Sequence, residues 1–185
     1  MASPNFSKAA QVAAAFIERN GGSIEKYALI KMMYFADREA LKTWSRSLTE
    51  TTPYSMEHGP VLSEILNLTN GCSVAGSEVW KQFISDADAE NVVTLKHPMP
   101  DKDRLSKRDL NLISAVFSEL RDKTFKELKA ISHALPEYEE VFGTSKVIPD
   151  EKRRRGVGKR DDQIKADINE VWQDNLTATL LGGVD

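Results

Sequence analysis

Cysteine is almost missing from this sequence. Cys72 is the only one in 185 residues, so no intrachain disulfide can form and no thiolate cluster can hold a metal unaided. Histidine is nearly as scarce. His58, His97 and His133 are the whole set, and they show no HxxxH or HExxH spacing, so a metal site and a bound cofactor are not expected. No apolar run approaches the roughly 20 residues of a membrane span. The opening M-A-S-P-N-F-S-K lacks the basic-then-apolar order of a secretory leader. These absences point to a cytoplasmic chain in a reducing compartment, with no membrane partner. A basic surplus is also lacking: 25 Lys and Arg face 28 Asp and Glu, a net charge of -3, which argues against a dedicated nucleic-acid binder. GxSxG, Walker-type and GxGxxG patterns are absent, and an enzyme is disfavoured on that ground.

What is present fits a folded domain with a sizeable core, at 41% hydrophobic and 29% charged residues. The expected fold class is α+β and predominantly helical. It has about six to seven helices and a small antiparallel β element, made of a short strand near 53–58 and a hairpin near 78–96. The domain (1–145) should be followed by a charged linker (146–160) and a C-terminal amphipathic helix (161–185).

The periodicity predicts a first helix from Asn5 to Asn20, with Ala9, Val12, Ala13, Phe16 and Ile17 in one stripe. A second helix, capped by Ser23, runs from Ile24 to about Trp44 and is apolar over more than half its circumference, the mark of a central helix. Lys31, Arg38 and Lys42 are placed on its solvent side. Tyr54 to His58 alternates as a strand begun by Pro53, and Gly59-Pro60 opens a third helix. Glu78 to Ile84 and Asn91 to Lys96 read as paired strands. His97-Pro98-Met99-Pro100 reads as extended. Ser106 with Asp109, and Thr124 with Glu127, mark the starts of two further helices. Glu137 to Phe142 should add a helical turn or two. The last helix carries Ile164, Ile168, Val171, Trp172, Leu176 and Leu180 on one side, and Gly182-Gly183 ends it.

One residue breaks the apolar pattern. On a helical wheel Asp37 falls among Ile30, Met33, Leu41 and Trp44, and a buried carboxylate needs partners. Two roles are open. It can be a structural staple that accepts hydrogen bonds from the Tyr54–Pro60 turn (Tyr54, His58, Gly59, Pro60) or from amides at the helix start after Gly59. It can also be a general acid or base beside His58. The staple is preferred, because perturbed carboxylates are often structural. Arg153-Arg154-Arg155 lies among acidic residues without interleaved aromatics and reads as solvated linker. Cys72 reads as an inert loop residue, and His133 as a structural one.

These residues also resemble a known family. K-M-M-Y-F-A-D-R-E-A-L (Lys31 to Leu41), L-T (Leu48-Thr49) and Y-S-M-E-H-G-P-V (Tyr54 to Val61) resemble the Panacea domain of SocA-like antitoxins and phage-associated proteins. L-S-K-R-D (Leu105 to Asp109) and I-S-H-A-L-P-E-Y (Ile131 to Tyr138) extend the resemblance, which covers roughly Ala9 to Phe142. Glu50-Thr51 departs from it, standing where the family's turn usually contains glycine, and Pro53 stands where an aromatic is common.

The resemblance implies an antitoxin that neutralises a cognate toxin by direct binding, in a prophage-type setting. Two other roles stay open: an adaptor delivering a toxin to a protease, and a DNA-binding autoregulator. A homodimer is a further option. Contact residues for the toxin are expected at Lys31, Arg38 and Lys42, at Arg153, Arg154 and Arg155, and at Ile168, Trp172 and Leu176.

Overall fold

The computed structural model describes residues 4–98 and 102–181. Met99 and Pro100, the end of one expected extended run, lie outside the described residues. So do Gly182-Gly183, the expected helix stop, and the side chain of Leu180.

Helix α1 (Phe6–Arg19) is capped by Asn5, whose side chain accepts from the Lys8 amide at 3.0 Å. Its flank of Ala9, Val12, Ala13, Phe16 and Ile17 is fully buried. The small alanines let neighbouring helices approach closely, while Phe16 and Ile17 contribute roughly 1.5–3 kcal/mol each by burial. Strand β1 (Ser23–Glu25) and helix α2 (Lys26–Trp44) follow. The expected Ser23 cap is replaced by Glu25, whose carboxylate accepts from the Tyr27 and Ala28 amides, both at 2.9 Å. The cap moves because residues 23–25 are drawn into an antiparallel pair with β4 (Val92–Thr94), in the register Ile24 opposite Val93. Helix α2 is central: it contacts α1, α3 (Ser63–Thr69), α5 (Lys107–Leu120), α6 (Phe125–His133) and α7 (Asp150–Gly156).

The hairpin expected over 78–96 is not there. Residues Ser77–Phe83 form helix α4, and only the bridge between Ile84 and Leu95 joins the two stretches. Trp80, Phe83 and Ile84 stand at i, i+3 and i+4, and a short stretch with apolar residues at that spacing satisfies a helix face as well as a strand. Burial decides: Trp80 and Ile84 have no exposed surface, and Gly76 at φ +84 starts the helix against the Phe6 ring. Both predicted capping boxes, Ser106 with Asp109 and Thr124 with Glu127, are formed.

A second sheet has the order β3 (Val61–Leu62), β2 (Pro53–Ser55), β5 (Lys146–Val147), antiparallel throughout. Pro53 begins β2, where its missing N–H breaks no ladder bond, and its carbonyl accepts from Ile148 at 2.9 Å. Pro60 precedes a strand residue, not a helix, so the third helix starts later than expected. The helical turn expected at Glu137 to Phe142 is not formed: Pro136 and Glu137 make a turn, residues 138–141 have no regular secondary structure, and Pro136 blocks continuation of α6. Among the described residues the fold is α+β and predominantly helical, with eight helices, ending with α8 (Asp161–Leu181). Two of the eight were not expected as helices, α4 (read as a strand) and α7 (read as linker), while the helical turn expected at Glu137 to Phe142 is absent.

Candidate functional site

Asp37 is 1% exposed at the middle of α2. Its partners differ from those the sequence suggested. Oδ1 accepts from the Thr49 amide at 2.8 Å and the Thr49 hydroxyl at 2.9 Å, and Oδ2 accepts from Ser47 Oγ at 2.6 Å. The fourth contact comes from far along the chain: Arg153 on α7 places a guanidinium nitrogen 3.3 Å from Oδ2. Asp37 is thus a staple, but it ties α2 to the Ser47–Thr49 loop and to α7 instead of the Tyr54–Pro60 turn. With this carboxylate engaged on every side, pairing with His58 as acid and base finds no support.

The neighbouring helical position continues the clasp. Arg38 donates to Glu137 Oε1 at 2.7 Å and to the Gly156 carbonyl at 2.7 Å. Tyr34 donates to the same Glu137 oxygen at 3.1 Å. Burial, then the Glu137 charge, holds the Tyr34 hydroxyl well above its ordinary pKa. Gly156 must be glycine for this approach, because a Cβ there would lie 2.2 Å from Glu137 Oε2. Arg154 is 3% exposed and bridges Asp150 (2.8 Å), Asp167 of α8 (2.8 Å) and the Ser45 carbonyl (2.9 Å). Lys159 also reaches Asp167, at 2.9 Å. Burial works against the charge on Asp167, but Lys159, Ser45 and Arg154 outweigh it and hold the carboxyl below its usual range.

The arginine run is therefore no solvated linker. Arg153 and Arg154 are buried bolts, and only Arg155 is exposed, paired with Asp161 at 3.1 Å. Lys31 is corrected too. It has no exposed surface, and its ammonium donates to the Pro60 carbonyl at 2.8 Å beneath the Gly59-Pro60 turn. Burial, then the nearby Lys129 charge, lowers its pKa to about 7. A helix apolar on most sides has little solvent face, so α6 and the turn close over a lysine that the wheel leaves outside. Arg38 is largely buried. Lys42 is exposed, paired with Glu39 at 3.3 Å, and lines an open cleft between α2 and α5 beside Trp44. Tyr54 is half-buried in β2. His58 is exposed beside Phe125, and its carbonyl accepts from the Tyr27 hydroxyl at 2.7 Å.

The clasp also builds a surface. Between α8 and the start of β2 runs a groove of about 280 Å³, its walls including Pro53, Val147, Ile148, Ile168, Val171 and Trp172. Ile164 anchors α8 to the body at 3% exposed, and Ile168 and Val171 are half-buried. Further along, Trp172 is 64% exposed and Leu176 is 42% exposed. Of the expected contact residues, Arg153, Arg154, Ile168 and Trp172 meet at this groove, while Lys31, Arg38 and Lys42 lie elsewhere. Glu137 and Asp167 received no role from sequence reasoning. The signal for Asp167 was a carboxylate on the apolar side of a helix that follows a basic run.

Among the described residues no group of His, Cys, Asp and Glu could hold a metal ion, and no helix is long and apolar enough to cross a membrane. Comparison with curated proteins finds no match, and neither does comparison with solved structures. The family model described as Antitoxin SocA-like, Panacea domain, matches residues 29–138, more than half of the chain. That match takes in α2 from Leu29 onward, the Asp37 loop, the Gly59-Pro60 turn and Glu137, and it ends before β5, α7 and α8. The chain belongs to the SocA-like antitoxin family and carries its Panacea domain.

Proposed function

We propose that this protein is an antitoxin that neutralises a cognate toxin by binding it directly, with α8 and the adjacent groove as the contact surface. The observation that carries the reading is Trp172. An indole 64% exposed beside an apolar groove, on an element outside the family match, is the kind of anchor that dominates protein interfaces. The Panacea body supplies the scaffold. The C-terminal elements, which lie outside the family match, supply the contact surface. Arg153 and Arg154 serve as bolts for that surface, and the contact residues are Ile168, Trp172, Leu176 and the exposed Arg155. Burial of Arg153 and Arg154 takes two cations out of the basic face that a DNA-binding autoregulator would need, which favours the protein-binding reading.

The test is co-expression with the protein encoded by the adjacent open reading frame. Rescue of growth together with a stable stoichiometric complex supports occlusion. Rescue accompanied by protease-dependent loss of the toxin would replace occlusion with adaptor delivery. A chain ending at residue 169 keeps Asp167 for Arg154 and Lys159 but removes Trp172 and Leu176. It should fold and fail to neutralise, and full neutralisation by it would defeat the assignment of the surface.

A further inference from the structure

The charges around the groove are almost all spoken for. Arg153 faces Asp37, Arg154 faces Asp150 and Asp167, Lys159 faces Asp167, and Arg46 faces Glu170 at 3.4 Å. Glu50 is the exception. It lines the groove, and the two cations that act on its carboxylate, Lys8 and Arg46, make their close ion pairs with Asp109 (3.2 Å) and Glu170 (3.4 Å). Its backbone holds φ +57, a left-handed conformation that a non-glycine residue adopts at some cost. The loop is nevertheless fixed: the Glu50 amide donates to Ser47 Oγ at 3.0 Å, and that same oxygen donates to Asp37. The turn therefore presents a carboxylate at the mouth of an apolar groove whose other charges are neutralised internally. Burial raises the Glu50 carboxyl above its ordinary range, with Lys8 and Arg46 opposing.

We infer that the groove takes a toxin segment presenting a large apolar side chain next to a lysine or arginine, the apolar group seated between Trp172 and Ile148 and the cation on Glu50. This rests on the antitoxin reading and specifies the chemistry of its contact. A basic residue on the partner would supply the close ion pair that Glu50 lacks, and a desolvated pair at the rim of an apolar contact adds discrimination more than raw affinity. An acidic segment would be repelled by Glu50 at the same point.

The experiment pans a displayed random-peptide library on the full chain, a probe that does not depend on the identity of the toxin. The expected consensus has a bulky apolar residue flanked by Lys or Arg, and Trp172→Ala loses it. Glu50→Gln, which keeps the shape, retains the apolar preference, loses the basic one, and weakens the best peptide on the order of fivefold. Glu50→Lys turns the flanking preference acidic. An unchanged basic preference in both Glu50 variants, an acidic preference in the parent, or no enrichment over Trp172→Ala overturns the proposal. Failure here is distinct from failure of the antitoxin reading. If Glu50→Lys still neutralises the adjacent-frame protein fully, the charge assignment falls and the antitoxin stands. If the parent forms no complex with that protein, the antitoxin reading falls, and the peptide selection still decides the groove.

Discussion

Replacing Asp37 by asparagine keeps the shape of the side chain and removes its charge. In the parent, that charge accepts three hydrogen bonds from Ser47 and Thr49 and faces Arg153, whose side chain is 6% exposed. The variant leaves the Arg153 guanidinium buried without a counterion. Removing one member of such a pair costs roughly 3–5 kcal/mol. Arg153→Met is milder, because Asp37 keeps its three donors. The loss is that of one charged contact, about 1–3 kcal/mol. The double variant no longer strands an ion, so it should be less destabilised than the sum, with a coupling of about 1–3 kcal/mol. Urea unfolding followed by circular dichroism reads all four corners of the cycle. With typical slopes of about 1–3 kcal/mol per molar, Asp37→Asn should lower the midpoint by at least about 1 M. Additivity within about 0.5 kcal/mol would show that Arg153 and Asp37 do not act as a pair. A larger loss in Arg153→Met than in Asp37→Asn would show that Ser47 and Thr49 are not the main partners of the carboxylate.

Three further outcomes are expected. Lys31 has its folded pKa lowered to about 7 from an ordinary 10.5, so between those values the unfolded chain binds more protons. Stability should therefore rise with pH across that window, by up to about 1.4 kcal/mol per unit, and Lys31→Met should flatten the profile in denaturant titrations at successive pH values. Gly59→Ala places a Cβ 2.3 Å from Ser132 Oγ and 2.8 Å from Lys31 Nζ at φ +91, and should cost roughly 1–3 kcal/mol in thermal or urea unfolding. A chain ending at Gly143 loses Arg153 and the β5 pairing with β2, and should unfold earlier than a chain ending at residue 169, as read by calorimetry.

Much of this fold was readable from local chemistry. The two capping boxes, the alanine-rich first helix and the breadth of the central helix are set by residues within a few positions of one another, and the structure matches them. The misplaced carboxylate at Asp37 was legible as well, since a charge on an apolar face announces an unseen partner. Its partners were not legible. Ser47 and Thr49 lie ten and twelve residues away, and Arg153 sits in a run whose acidic neighbours look sufficient to solvate it. Nothing local distinguishes an arginine paired with Asp150 in water from one buried against Asp167. The hairpin failed for a related reason. A seven-residue stretch whose apolar residues are Val79, Trp80, Phe83 and Ile84 fits either period, and the packing of Trp80 beneath α1 decided it. Lys31 shows the limit of a helical wheel, which cannot report that another helix covers the polar side.

Radical footprinting of the indole rings, in the free protein and in its complex with the adjacent-frame protein, tests the central claim most directly. Trp172 is exposed, Trp80 has no exposed surface, and Trp44 lies under the Arg108 guanidinium 4.1 Å from its ring centre, so the three report different places. Direct binding through α8 predicts that oxidation of Trp172 falls several-fold on complex formation while Trp44 and Trp80 do not change. Unchanged oxidation of Trp172 in a stoichiometric complex, or protection at Trp44 instead, would contradict it.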